Sequence, residues 1–255
     1  MTLEALSREK HRDLRLRPVE HPWAFARTMV TAAVVGAELP ELVRTMPIAF
    51  RQQEGRASMV ALMGLGRENL CVGPQGEWLG RYIPAVLRAW PFALAPRGSE
   101  HVVVVNSDSP VLSRETGDPL FDAEGKPTER LQKILDFLKL VGDQDVVIAR
   151  AVAAIADAGL FVPWDIELRN EVGKRVRVTG LHQVSREAFD ALDDEAFLTL
   201  RRAGALPLIY GHWFSQRNIS ELERLMREQS KRREQPAAGG QEAQPLYITD
   251  DYLKF

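Results

Sequence analysis

Paired short apolar runs dominate the first half of this chain, and they constrain its fold more than any other feature. Residues 47–65, "PIAFRQQEGRASMVALMGL", hold two apolar runs around a polar loop that contains a glycine. Residues 91–106, "PFALAPRGSEHVVVVN", repeat this arrangement and end in a run of valines. Short apolar runs joined by turn residues are typical of β-hairpins. The sequence therefore predicts short, mostly antiparallel strands within residues 45–110.

A helical segment follows these strands. In residues 127–141, "PTERLQKILDFLKLV", apolar side chains recur at helical spacing, and Thr128 is a candidate N-cap. Gly142 then interrupts the pattern, and an Ala-rich segment continues to Gly159, a residue type that commonly ends helices. We therefore predict a helical hairpin over residues 127–158, with two antiparallel helices.

The last third of the chain mixes short strands and helices. Residues 164–180 alternate apolar and charged side chains on both sides of "NEVGK", which predicts a second β-hairpin. Ser185 and Asp193 are candidate N-caps of short helices, and Ser220 with Glu223 forms a possible capping box for the last helix. The predicted fold class is α+β: short, mostly antiparallel strands with a helical hairpin and C-terminal helices.

The domain organisation follows from length and composition. The chain has 255 residues, which is enough for one large domain or two small ones. We predict a domain over residues 1–232, either as one unit or as two packed lobes of about 1–126 and 127–232. Residues 233–255 have linker composition followed by the aromatic-rich "YITDDYLKF". We expect a flexible tail that either docks back on the domain or serves as a motif for a partner.

Composition excludes several classes of function. The formal charge of −2 gives no electrostatic footprint for nucleic acid. The N-terminus is charged throughout, and the longest apolar stretch is interrupted by Glu38 and Pro40, so we expect neither a secretion signal nor membrane insertion. Cys71 is the single cysteine, which rules out an internal disulfide and fits a reducing compartment. These features predict a soluble cytoplasmic protein.

Two residue patterns raise the question of catalysis. His11 and Asp13 have the H-x-D spacing of a non-haem iron oxygenase, in which His212 would be the third ligand. The pattern lies in a charged segment, however, whereas such ligands need a rigid core element. Cys71 lies in an apolar strand pattern, where a free cysteine behaves as a small buried hydrophobe. We therefore predict no catalytic residue, no metal and no cofactor, and keep the oxygenase as an alternative.

An aromatic window over residues 69–92 is the most distinctive local feature. It holds Trp78, Tyr82, Trp90 and Phe92 among prolines and glycines. Such side chains line peptide grooves in some proteins, but more often they anchor turns of a small sheet. We expect core packing for most of them, with Trp78 exposed at its turn. Trp78 and Tyr82, together with His212, are the candidate binding residues.

The order of several motifs resembles the SapC family, bacterial proteins named for an association with S-layer protein transport. The resemblance runs from about His11 to Leu225. It is carried by "EKHRDLRL", "AELPELVRTMPIAF", "VALMGLGRENLCV", "GEWLGRYIPAVLRAWPF", "PLFDAEGKPTERL", "GLHQV" and "GALPLIYGHWFSQRNISEL". Leu39, Met46 and Cys71 stand where aromatic residues are typical of the family, and all three are apolar replacements that suggest repacking.

The resemblance implies an accessory role in surface-protein or S-layer export and brings no reaction, cofactor or catalytic residue with it. The leading hypothesis is therefore a non-enzymatic binding or accessory protein with a protein or peptide partner. The oxygenase of His11, Asp13 and His212 is one alternative. A peptide-binding module built on residues 78–92 is the other. The sequence leaves the oligomeric state open.

Overall fold

The computed structural model describes residues 2–53, 55–98, 100–169, 175–234 and 253–254. In chain order the strands are β1 (Leu3–Ala5), β2 (Arg15–Leu16), β3 (Thr31–Ala33), β4 (Ile48–Gln53), β5 (Arg56–Leu62), β6 (Gly64–Leu65), β7 (Glu68–Asn69), β8 (Phe92–Arg97), β9 (Glu100–Asn106), β10 (Leu112–Ser113), β11 (Asp118–Pro119), β12 (Phe161–Pro163), β13 (Ile166–Arg169), β14 (Arg175–Val178) and β15 (His182–Val184).

The α-helices are α1 (Arg8–His11), α2 (Leu39–Thr45), α3 (Ala85–Arg88), α4 (Glu129–Asp157), α5 (Arg186–Asp190), α6 (Asp194–Ala203), α7 (Leu206–Ser215) and α8 (Ile219–Glu234). Short 3-10 helices cover Ala24–Ala26, Gly36–Glu38 and Gln216–Asn218. Small sheets and helices are interspersed along the chain, so the fold class is α+β, as the sequence predicts.

The strand pairs are antiparallel. Over the described part of the chain, the largest sheet has five strands in the order β12-β15-β4-β5-β3, and a second sheet has the order β1-β9-β8. The predicted hairpins are present as β4–β5, β8–β9 and β13–β14. The "NEVGK" turn of the last one lies outside the described residues. Hairpins are predicted well because both partners and their turn are local in sequence.

The predicted helical hairpin is wrong, because α4 is one continuous helix of 29 residues that passes through Gly142. Its buried side chains keep one phase across the glycine: Val141 and Ile148 are seven residues apart, and both face the core. A spacing of seven residues returns to nearly the same face of a helix. Glycine inside a helix costs only about 1 kcal/mol relative to alanine, so it does not end a helix that packing holds on both sides.

The helix caps divide into confirmed and wrong predictions. The side-chain oxygens of Thr128, Ser185 and Asp193 accept the backbone N–H groups expected of N-caps. The capping box predicted for Ser220 and Glu223 is wrong, because α8 already begins at Ile219. The Ser220 hydroxyl instead donates to the carbonyl of Arg217 at 3.0 Å.

Two hydrophobic clusters form the core. The first cluster packs the five-stranded sheet against α7, α8 and the C-terminal half of α4, with Phe50, Ile155 and Ile209 fully buried. The second cluster packs β2, β8 and β9 against the N-terminal half of α4, with Phe92 and Ile134 fully buried. Both clusters draw on residues from before and after residue 126. The division of the domain into two lobes near that point stays a prediction.

Buried polar side chains hold α8 and the aromatic window together. The Gln229 side-chain nitrogen donates to the carbonyls of Asn69, Leu70 and Val72 at 2.8–3.2 Å. Asn69, Leu70 and Val72 are buried, and one amide side chain thus supplies hydrogen bonds to the backbone of this buried segment. They fix the start of the window against the last helix. No helix among the described residues combines the length and apolar character needed to cross a bilayer.

Candidate functional site

Side chains along the aromatic window are held by ring contacts and hydrogen bonds to neighbouring residues. Trp78 forms an isolated bridge with Val72, and its ring lies edge-on to that of Trp23, with centroids 5.7 Å apart. The Trp78 indole nitrogen donates to the backbone carbonyl of Tyr82 at 3.0 Å. Trp90 stacks on Phe25 with centroids 4.4 Å apart. The window therefore positions Tyr82 and the short helix α3 that follows it.

Glu38 is the most deeply buried carboxylate near this window. The residue is 1% exposed and ends a 3-10 helix that leads into α2. One carboxylate oxygen accepts the backbone N–H of Val35 at 3.0 Å, and the other accepts that of Ala85 at 2.7 Å. Ala85 is the first residue of α3. Glu38 thus ties the start of α3 to a segment far away in the sequence.

Arg88 brings the complementary charge to the same place. It lies in the last turn of α3 and is 5% exposed. Its Nη2 lies 3.9 Å from a Glu38 carboxylate oxygen and donates to the Tyr82 hydroxyl at 3.1 Å. The guanidinium also lies over the rings of Tyr82 and Phe137, 5.5 and 5.3 Å from their centroids. Such stacking on aromatic faces suits an arginine more than a lysine.

Burial perturbs the ionisation of all three groups. It raises the pKa of Glu38, although backbone hydrogen bonds and Arg88 act in the opposite direction. Burial, reinforced by the Glu38 charge, raises the pKa of Tyr82, and burial lowers that of Arg88. Tyr82 therefore stays a neutral hydroxyl, which accepts the hydrogen bond from Arg88. Perturbed titratable groups that converge in this way are more common at functional sites than elsewhere.

The C-terminal end of the chain lies on this cluster. The Arg88 Nη1 donates to the backbone carbonyl of Lys254, and Leu253 packs against the second cluster. We call Glu38, Tyr82, Arg88 and the adjoining apolar surface the Arg88 site. The flexible tail predicted over residues 233–255 falls mostly on residues 235–252, outside the described part. Leu253 and Lys254, near the end of this tail, do contact the domain.

His212, the third candidate binding residue, lies elsewhere and is a structural histidine. It is 0% exposed, its Nδ1 lies 2.7 Å from the carbonyl of Ile48, and its Nε2 accepts the N–H of Val184 at 3.3 Å. The rings of Phe50 and Trp164 pack on it. Burial lowers its pKa to about 4. Both ring nitrogens are used inside the core, so His212 has no nitrogen left for a ligand.

The alternative metal site of His11, Asp13 and His212 is wrong. His11 is buried beside Ser7, where its Nδ1 lies 3.0 Å from the backbone carbonyl of Ser7. Asp13 is exposed and lines a surface pocket with Arg12 and Arg114. Across the described residues, no three His, Cys, Asp or Glu side chains form a group that could hold a metal ion. His11 and Asp13 therefore have the H-x-D spacing, but one side chain is buried and the other is exposed.

Cys71 is a buried core residue, as expected, although it lies in a turn after β7 and not in a strand. Burial raises the pKa of its thiol to about 12, so the nucleophilic thiolate is strongly disfavoured. Its backbone N–H is bound by the Asn69 side chain at 2.9 Å. This residue supports the packing of the window and has no reactive environment.

The sequence analysis missed Glu38 and Arg88, although a signal was present. Each is a single charge inside an otherwise apolar stretch, "VVGAELP" and "IPAVLRAWPF", and the two charges are opposite. A lone charge in an apolar run is often buried with a partner. Of the three candidates from the sequence, Tyr82 belongs to the site and His212 does not. Trp78 is half-buried against the first cluster and donates to the backbone carbonyl of Tyr82, so the exposure expected for it is wrong.

Comparison with known protein families decides the relationship of this chain. The sequence model of SapC matches residues 6–222, which is most of the chain and includes the whole aromatic window. The chain belongs to the SapC family. Leu253 and Lys254 lie beyond the part that matches SapC, whereas Glu38, Tyr82 and Arg88 lie within it. No curated protein and no solved structure matches the chain.

Proposed function

We propose that this SapC family protein is a non-enzymatic binding protein whose Arg88 site takes a short peptide segment. Its own C-terminal end occupies that site in the absence of a partner. One observation carries the proposal: the buried guanidinium of Arg88 donates to the backbone carbonyl of Lys254 while Leu253 packs on the second cluster. Every peptide has backbone carbonyls, so the same contacts are open to a segment of another protein.

The chemistry of the site defines the ligand. The second cluster offers an apolar surface for one side chain, and Arg88 offers a fixed donor for the carbonyl of the next residue. The Glu38 carboxylate and the Tyr82 hydroxyl hold the guanidinium in place. A peptide with an apolar residue in an extended or turn segment fits this arrangement.

The C-terminal segment of the same chain regulates the access of other peptides to the Arg88 site. A segment tethered by a linker competes at an effective concentration in the millimolar range. A partner peptide must therefore bind more strongly than the resident end, or arrive where that end has been displaced. The family resemblance suggests a surface-layer or other exported protein as this partner. The single free cysteine favours an encounter in the cytoplasm.

A labelled peptide tests the proposal on the full chain. We expect a fluorescein-labelled peptide of sequence YITDDYLKF to bind the Leu253→Glu variant at least about tenfold more tightly than the wild type. The substitution places a charge on the apolar surface and so frees the site. Fluorescence anisotropy measures both affinities.

Two arginine variants localise the binding. Arg88→Lys, added to Leu253→Glu, keeps the charge but loses the planar donor geometry, and should weaken peptide binding. Arg81→Lys, on the exposed side of the same window, is the matched control and should leave affinity unchanged. Equal affinity in the Arg88 and Arg81 variants would contradict the site. Efficient turnover in a substrate screen would contradict the non-enzymatic role.

A further inference from the structure

A cavity of about 430 Å³ lies between two sheets and α4, and it borders the Arg88 site through Val35 and Val86. Val34 and Val35, which follow β3, form one wall, and Leu94 of β8 belongs to the opposite wall. Leu138 and Val141 of α4 complete the apolar lining. β3 and β8 are each the edge strand of their sheet. The volume is in the range of pockets that enclose small molecules.

Gly142 shapes this cavity from the middle of α4. A Cβ atom at this position would lie 2.9 Å from the Leu94 side chain and 4.0 Å from the His101 ring. Glycine is unfavourable inside a helix, yet it stands where the helix approaches the cavity wall. Ala33 and Ala93 also line the cavity with short side chains. The glycine therefore lets α4 approach β8 closely, and the alanines add short side chains to the lining.

Two opposite charges lie at the polar part of the lining. Arg56 of β5 and Asp145 of α4 both border the cavity and are exposed. Neither side chain makes a hydrogen bond or ion pair with another described residue. His101 of β9 adds an imidazole to the same lining. The cavity thus combines an apolar interior with one cation and one anion that are available to a ligand.

We propose that this cavity binds an apolar α-amino acid. The ligand side chain would lie among Leu94, Leu138 and Val141, with its carboxylate at Arg56 and its ammonium group at Asp145. A fatty acid would satisfy Arg56 but bring an anion beside Asp145, and an apolar amine would meet the reverse conflict at Arg56. A zwitterion with an apolar body satisfies both charges at once.

Three probes with the same apolar body separate these possibilities. L-phenylalanine carries both charges, 3-phenylpropionate lacks the ammonium group, and 2-phenylethylamine lacks the carboxylate. Titration calorimetry on the full chain should show phenylalanine binding about fivefold or more tightly than either analogue. Methyl spectra should place the shifts at Val35, Val86, Leu94, Leu138 and Val141, which line the cavity.

Single-charge variants then assign each end of the ligand. Arg56→Gln should bring the affinity for phenylalanine down to that for 2-phenylethylamine. Asp145→Asn should bring it down to that for 3-phenylpropionate. Both positions are exposed, so these variants keep the fold. Arg202→Gln and Asp190→Asn, on exposed helical positions away from the cavity, are the matched controls and should bind phenylalanine like the wild type.

Four outcomes would overturn the proposal. The first is no binding of phenylalanine to the wild type at millimolar concentration. The second is equal affinity for all three probes, which would show an apolar cavity without recognition of the charges. The third is a set of methyl shifts at Leu253 without shifts at Leu94, Leu138 and Val141 of the cavity lining. Preference for 3-phenylpropionate over phenylalanine would likewise replace the amino acid by an anion.

Discussion

At the scale of single residues, His212 connects three elements through one imidazole. Its ring nitrogens reach Ile48 of β4 and Val184 of β15 from α7. Since Nδ1 donates to a carbonyl and Nε2 accepts an N–H, only the neutral tautomer with the proton on Nδ1 satisfies both partners. A second proton on the ring would place two donors face to face inside the core.

This tautomer makes stability depend on pH. The pKa of His212 falls from 6.5 in the unfolded chain to about 4 in the folded protein because of burial. The stability that neutral His212 contributes is therefore fully present above pH 6.5 and is lost as the pH falls towards 4. We expect the free energy of unfolding to decrease by about 2 kcal/mol between pH 7 and pH 5 on account of this residue, measured by urea denaturation.

A glutamine at this position removes the titration. The His212→Gln variant should be less stable at pH 7, because one of the two hydrogen bonds is weakened, but it should lack most of the pH dependence. His21→Gln, at an exposed histidine, is the control and should keep the wild-type profile. An unchanged slope in His212→Gln would show that another group causes the effect.

Residue chemistry was predictable from the sequence only where it acts locally. Thr128, Ser185 and Asp193 cap helices that begin within three residues of them, so the pattern was sufficient. Glu38 and Arg88 meet across a separation of about fifty positions in the chain. The residues around Glu38 do not indicate Arg88 as its partner, nor the reverse, so only the structure shows the site that the two form.

At the scale of elements, α4 shows how packing overrides local propensity. Gly142 favours a break, but side chains on both sides of it are buried on one face of a single helix. The hairpins β4–β5 and β8–β9 followed from sequence because their turns are local. The phase of the apolar positions across Gly142, more than the glycine itself, was the informative signal for α4.

Proline substitutions test the continuity of α4. Gly142→Pro removes a helix hydrogen bond and clashes with the preceding turn, so it should destabilise the protein by about 3 kcal/mol. Glu129→Pro is the matched control, because Glu129 is the first residue of α4 and proline is tolerated there. Thr128 before it is already extended, as a residue preceding proline requires. Urea denaturation followed by circular dichroism measures both.

A small effect of Gly142→Pro would contradict one continuous helix. Proline is accommodated readily at a turn between two helices but not in a helix interior. An equal loss of stability in Glu129→Pro and Gly142→Pro would instead indicate that α4 is sensitive to proline at any position. Only a large difference between the two variants supports the continuous helix.

At the scale of the whole molecule, α4 joins the two hydrophobic clusters. Its N-terminal half contributes Ile134 and Leu138 to the second cluster, and its C-terminal half contributes Val152 and Ile155 to the first. A rigid helix shared by two cores couples their stability, since neither can lose its packing without loss of the other's support. We therefore expect one cooperative unfolding transition.

Conservative core variants measure this coupling. Ile134→Val and Ile155→Val each remove one buried methyl group and should each lower the free energy of unfolding by about 1 kcal/mol. Tryptophan fluorescence reports mainly on the first cluster, because four of the five tryptophans belong to it or pack against it: Trp23, Trp78, Trp164 and Trp213. Circular dichroism reports on the entire chain, and both probes should give the same midpoint for each variant. Separate midpoints, with Ile134→Val invisible to fluorescence, would favour two independent lobes.

Long-range pairings explain why the whole-molecule arrangement could not be predicted. The five-stranded sheet places β15 beside β4, although more than a hundred residues separate them. Likewise β1 (Leu3–Ala5) pairs with β9 (Glu100–Asn106), although the two strands are far apart in the sequence. Hydrophobic periodicity identifies a strand and its buried face, but it does not identify a distant neighbour.

The pairing of β1 with β9 has a consequence for shortened forms of the protein. Leu3, Glu4 and Ala5 lie opposite Asn106, Val105 and Val104, so β1 covers one side of a valine-rich strand. Without β1, that strand would present free backbone donors and acceptors on an uncharged, β-branched segment. Removal of a few N-terminal residues would thus expose a template for edge-to-edge aggregation, and these residues act as a protective cover for the sheet.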